Sequence, residues 1–277
     1  MPRKYVTERT GQIAKVEGLH ERRNRERYGQ ALIEGPQTVR ELLRCRPRAI
    51  RDIYVTCEGL IQHPDLEALV QQLDPYTHVV EPEIFSGLST DAQGWLAVID
   101  KPAEPSITDF FSTGPRLVVC LVESADPGNL GTVIRTADAA GADGVLIGAG
   151  SVELFNPKVI RASVGSVFHL PILTGIDPAQ TADLARDRGC QILLADGGAD
   201  LDLFELAHGA PSGHAPDLSA RTMWLVGNEA RGFTARQQAL ADHAISIPMW
   251  GQAESLNAAV ATSLCIYTSA NAQRASR

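Results

Sequence analysis

The sequence predicts an α/β protein of two units, in which a parallel sheet covered by helices follows a smaller α/β unit. Three observations carry this expectation. Continuous apolar runs at 117–122, 144–147 and 223–226 alternate with segments of helical periodicity, the pattern of strands buried on both faces. A shorter strand-helix alternation precedes them. Between the two, residues 101–115 hold three prolines and read as a linker. A chain of 277 residues is long enough for both units.

Taken in order, residues 1–27 are polar, lack apolar periodicity and are expected to form a basic N-terminal arm. From residue 30 the pattern changes. Ala31, Leu32 and Ile33 form a strand, Gly35-Pro36 punctuates it, and Val39, Leu42 and Leu43 recur at helical spacing. Strands at 50–56, 77–80 and 95–99 and a helix at 64–73 complete an expected domain over 28–100. The second domain, 116–277, is expected to contain strands at 117–122, 144–147, 191–195, 223–226 and 244–247. Its helices are expected to run from the Asp126-Pro127 turn to residue 140, over 234–241 and over 256–270. No repeat at solenoid spacing is visible.

Composition removes several classes. Apolar residues make up 44% and charged residues 21%, which fits a folded globular chain. No apolar run approaches the roughly 18 residues of a membrane span, and none follows the N-terminal Met-Pro-Arg-Lys, so a cytoplasmic location without a signal peptide is expected. Cys45, Cys57, Cys120, Cys190 and Cys265 are scattered, with no CxxC pair and no nearby histidine, so reduced buried thiols and no metal are expected. His169, in an apolar segment, reads as a core histidine.

The net charge of −8 argues against a nucleic-acid partner, but its distribution reverses the argument. Residues 1–51 hold 13 Lys and Arg against 6 Asp and Glu; the rest of the chain holds 12 against 27. Arg22, Arg23, Arg25 and Arg27 cluster and are candidate RNA contacts, the plainer reading of such a run being a solvated basic face.

Three segments fall at the ends of expected strands, where open α/β sheets place ligands. In the first, Asp126-Pro127-Gly128-Asn129 supplies a turn and helix cap, and Arg135 lies about two turns along. In the second, 225–233, Val226 ends a strand at Gly227, which admits close backbone approach, and Glu229 offers a carboxylate on the loop. In the third, 247–261, a strand stops at Ile247-Pro248, Met249 follows, and a helix of small residues starts near Ser255, Leu256 and Asn257 with free backbone N–H groups.

N-x-G-x-x-x-R, L-V-G-N-E-x-x-G and I-P-M-x-G-x-x-x-S-L-N, in that order, resemble the three signature motifs of the SpoU/TrmH branch of the SPOUT methyltransferases. The stretch 156–168, which includes Arg161, resembles the family's segment between the first two. Each motif alone is weak; four in order over about 150 residues are specific. The first unit is similar, less specifically, to the small ribosomal-protein-like RNA-binding domain that many members carry.

The resemblance implies a deep trefoil knot in the catalytic domain and a homodimer whose active site is completed across the interface. It also implies S-adenosylmethionine as cofactor, held largely by main-chain groups around Val226, Gly227, Ile247, Met249 and Leu256. No GxGxxG fingerprint argues for a Rossmann site instead. The implied reaction is methylation of a ribose 2′-hydroxyl in RNA, with 23S ribosomal RNA as expected substrate. Arg135 matches the catalytic arginine, while Asn129, Glu229, Ser255 and Asn257 match the other polar positions. Arg161 joins the N-terminal arginines as an expected RNA contact. Two alternatives stay open: a transfer-RNA 2′-O-methyltransferase, and a knotted RNA-binding protein without catalysis.

Overall fold

The computed structural model describes residues 4–209, 215–227 and 232–276. The chain divides into two compact units, one of Met1–Ala103 with Glu153–His169, the other of Glu104–Val152 with Leu170–Arg277.

The first unit runs β1 (Lys4–Val6), α1 (Gly11–Gly18), α2 (Arg22–Tyr28), β2 (Gln30–Glu34), α3 (Pro36–Cys45), β3 (Ile50–Val55), α4 (Cys57–Gln62), α5 (Pro64–Leu73), β4 (Thr77–Val80), α6 (Pro82–Leu88) and β5 (Trp95–Asp100). Its sheet has the order β1-β4-β3-β5-β2; β4 pairs in parallel with β1 and β3, and β5 pairs antiparallel with β3 and β2. The expected arm is part of this unit. Ile13, Val16 and Leu19 are buried in one core with Leu32, Tyr54 and Leu96, and Thr10 caps α1 by accepting from the backbone of Ile13. Three apolar side chains at near-helical spacing give that segment enough buried surface to hold it on the sheet.

The second unit begins with α7 (Ile107–Ser112), inside the expected linker. Phe110 and Phe111 pack into its core, which anchors a segment whose prolines read as a spacer. Then follow β6 (Leu117–Leu121), α8 (Pro127–Ala140) and β7 (Gly144–Gly148). The chain next supplies α9 (Pro157–Ser163) to the first unit. It continues in the second unit as β8 (Ile172–Ile176), α10 (Pro178–Asp187), β9 (Gln191–Ala195), β10 (Leu201–Asp202), α11 (Leu203–Ala207), β11 (Thr222–Val226), α12 (Ala235–Gln238), β12 (His243–Ser246) and α13 (Ala258–Ala275).

All seven strands here are parallel, in the order β10-β12-β9-β11-β6-β7-β8. β6, β7 and β11 are buried at every residue, as their apolar runs predict. Strand β11, late in the chain, lies between β6 and β9. Helix α13 packs on α8 and on β11, where Trp224 Nε1 donates to Ser269 Oγ at 3.0 Å in the interior. No helix among the described residues is long and apolar enough to cross a membrane.

Candidate active site

The C-terminal ends of β9, β11 and β12 open onto one cleft of about 220 Å³. Parallel strands end there together, so loops from separated parts of the sequence converge on it. Val226 and Gly227 line it from the end of β11, Ile245 and Ile247 from β12 and the residue after it, and Met249 and Leu256 from the following loop. Five residues expected around the cofactor therefore share one cavity wall, and Ser255 joins them. A Cβ at Gly227 would stand 2.7 Å from the Phe233 ring, so only glycine lets that ring lie against the strand end.

The remaining lining carries polarity. Asp196 and Glu254 bring two carboxylates to a wall that is otherwise mostly apolar. Sequence reasoning passed over Asp196, Phe233 and Glu254; the signal for the first was an apolar strand ending in Asp196-Gly197-Gly198. S-adenosylmethionine has a flat base, ribose hydroxyls and two positive centres, and a pocket with apolar walls and two carboxylates fits that chemistry.

Beside the cleft, Asn257 caps α13 by accepting from the backbone of Ala259 and Val260. Its amide donates to Asn129 Oδ1 at 3.0 Å. Asn129 sits in the first turn of α8, where Asp126 caps the helix by accepting from its backbone N–H at 2.7 Å. About two turns further along each helix, Ser263 Oγ donates to Thr136 Oγ1 at 3.1 Å. Arg135 lies on the solvent side of α8, exposed, with no ion-pair partner among the described residues, and it is not part of the cleft wall. Glu229 lies outside the described residues.

The expected RNA-binding arginines separate into two kinds. Arg22 and Arg23 are exposed and pair with Glu26 and Glu21, and Arg27 is exposed beside the Tyr28 ring. Arg25 departs from the expectation: it is 2% exposed. Its guanidinium donates to Glu153 and to the carbonyls of Leu19 and His20, which leaves it nothing to offer a phosphate. Arg161 is half-buried and pairs with Glu34 at 2.5 Å and Asp91 at 3.1 Å, so it too serves its own unit.

The thiols also divide. Cys120, Cys190 and Cys265 are buried, and burial pushes Cys120 and Cys265 up to about 12, which keeps them protonated. Cys45 and Cys57 are exposed, against the expectation of burial. His169 is exposed, against the expectation of a core histidine, and meets Glu41 Oε2 at 3.3 Å. Folding brings both within 4.8 Å of Cys45, a proximity that their spacing in sequence hides.

A model of the SpoU rRNA methylase family matches residues 116–267. The chain belongs to that family. The match spans the whole cleft, all of α8 and the first half of α13. Over 251 residues the chain is 34% identical to the 23S rRNA (guanosine(2553)-2′-O)-methyltransferase of Bacillus subtilis, covering 90% of this chain and 92% of that one. A 23S rRNA (guanosine-2′-O-)-methyltransferase of Pseudomonas syringae is 26% identical over 260 residues, 88% of this chain and 97% of that one. Among solved structures, the SpoU methyltransferase AviRb of Streptomyces viridochromogenes in complex with AdoMet is similar with a TM-score of 0.79. It is 26% identical, with 97% of this chain and 100% of that one covered.

Proposed function

We propose that the chain methylates a ribose 2′-hydroxyl of 23S ribosomal RNA, using S-adenosylmethionine. The observation that carries this is the cleft at the ends of β9, β11 and β12, which gathers Val226, Gly227, Ile247, Met249 and Leu256 within the segment matched to the family. Ribosomal RNA is favoured over transfer RNA because the Bacillus subtilis and Pseudomonas syringae relatives, both matched over most of their length, carry 23S rRNA in their names.

When bound, S-adenosylmethionine supplies an electrophilic methyl group on a sulfonium. The chain's residues then have separate tasks. Val226, Ile247 and Leu256 take the flat base, and Asp196 and Glu254 hold polar or positive groups. Methyl transfer to oxygen is an in-line displacement, so the ribose must be oriented and its proton removed. A guanidinium is a poor base, so the task of Arg135 is to orient the ribose or its phosphate, its planar fork gripping two oxygens at once. Asn129, Glu229, Ser255 and Asn257 position substrate, cofactor or Arg135.

The finer reading adds a trefoil knot, a homodimer and a cytoplasmic location. Insertion of β11 between β6 and β9 supports the knot. Exposure of Arg135 away from the wall of its own cleft supports an active site completed by a second copy. The exposed Arg22, Arg23 and Arg27 serve as RNA contacts, with Arg25 withdrawn from that role.

The test is single-turnover methylation of 23S ribosomal RNA by Arg135→Ala. The variant is expected to keep cofactor affinity and lose on the order of a hundredfold in rate, with Arg135→Lys restoring little. A near wild-type rate for Arg135→Ala rejects the assigned role, and equal methylation of transfer RNA rejects the substrate.

A further inference from the structure

The first unit holds a second cleft, of about 360 Å³, at the small end of the ~300–1,000 Å³ of ligand pockets. Gln12 and Lys15 of α1 line one side; Gln30, Arg51, Asp52 and Tyr54 of the sheet line the other. None of these residues is used by the methyl-transfer site.

Its polar groups are set in place. His78 is buried, stacks on Tyr54 with ring centroids 4.6 Å apart, and meets Asp52 Oδ1 at 3.0 Å through Nε2. Gln12 Nε2 donates to the Tyr54 hydroxyl at 2.9 Å and to the same Oδ1 at 3.4 Å. Tyr54 keeps its proton, because burial and then the Asp52 charge push its pKa up. Asp52 is thus held through one oxygen, while Oδ2 makes no hydrogen bond among the described residues. A fixed carboxylate with a spare oxygen at a cleft wall calls for a ligand with donors on its edge.

The rim supplies the rest. Tyr28 is 39% exposed, with Lys15 Nζ 4.3 Å and Arg27 Cζ 5.4 Å from its ring centroid. Lys15 belongs to both the cleft and this ring contact, so rim and cleft are continuous. Arg51 pairs with Asp100 at 3.5 Å, an exposed pair that a phosphate can replace at little cost. An exposed aromatic ring among cations beside a polar cleft is the arrangement that binds unpaired nucleotides.

We propose that this cleft takes an unstacked guanine of single-stranded RNA. Asp52 accepts from the guanine N1–H and 2-amino group, Tyr28 stacks the neighbouring base, and Lys15, Arg27 and Arg51 meet the phosphates. Only the ligand class leans on the proposed function; the cleft and its carboxylate do not.

The test measures fluorescence anisotropy of labelled UUGUU, UUIUU and UUUUU pentaribonucleotides, I being inosine, with the full chain. Guanine is expected to bind tightest, and loss of the 2-amino group in inosine to cost about tenfold. Asp52→Asn is expected to abolish the preference of guanine over inosine, and Tyr28→Ala to weaken all three. Equal affinities of the three pentamers for the wild-type chain overturn the proposal, whatever the variants do. So does a guanine preference that survives in folded Asp52→Asn. Methylation of 23S ribosomal RNA by the same preparation reports on the catalytic reading separately.

Discussion

The Asn257 side chain joins two helices through a residue 128 positions away in sequence: it caps α13 through its oxygen and donates its amide to Asn129 on α8. One residue thus fixes the start of the helix beside the cofactor cleft and ties it to the helix that carries Arg135.

The two tasks of Asn257 are separable. Asn257→Ala loses both and is expected to destabilise by about 1 kcal/mol through the lost cap. Asn257→Asp keeps a good cap but sets a carboxylate against Asn129 Oδ1, so stability should stay near wild type while methyl transfer falls. Thermal melts and initial rates check this. Equal rates for wild type and Asn257→Asp would confine the residue to capping.

Gly227→Ala should close the cofactor cleft. The added Cβ meets the Phe233 ring at 2.7 Å, so the ring, which lines the cleft, must shift. Affinity for S-adenosylmethionine by isothermal titration should drop about tenfold or more, with a smaller loss of stability. Unchanged affinity would place the cofactor elsewhere.

Arg25→Ala should behave unlike its neighbours. Removing it leaves Glu153, with a side chain only 12% exposed, without its main partner, a loss worth about 3–5 kcal/mol. Arg22→Ala, Arg23→Ala and Arg27→Ala should change stability by less than about 0.5 kcal/mol and instead flatten the salt dependence of RNA binding. Urea unfolding of the four variants distinguishes these outcomes; equal stability for all four would contradict the buried role of Arg25.

What was legible in the sequence follows from how each segment is buried. β6, β7 and β11 are covered on both faces, so their identity is written as apolar runs. β8 was missed because it lies at the sheet edge with Thr174 and Gly175 exposed, and α10 because Thr181, Ala182 and Ala185 bury too little apolar surface to mark a stripe. The cleft was legible at its strand ends, where motif spacing marks Val226, Gly227 and Ile247. Asp196 and Glu254 were not, since a carboxylate in a loop looks the same whether or not a cavity lies beside it. Arg25 was misread because charge suggests a surface, and its partner Glu153 is 128 residues away.

The central claim is that the methyl group goes to a ribose oxygen of ribosomal RNA. The most direct measurement incubates the full chain with S-adenosylmethionine labelled in its methyl group and unmodified 23S ribosomal RNA, then digests the RNA to nucleosides and separates them. The account predicts label in a single 2′-O-methylated nucleoside. Label in a base-methylated nucleoside, or none in RNA from a chain that binds the cofactor, would contradict it.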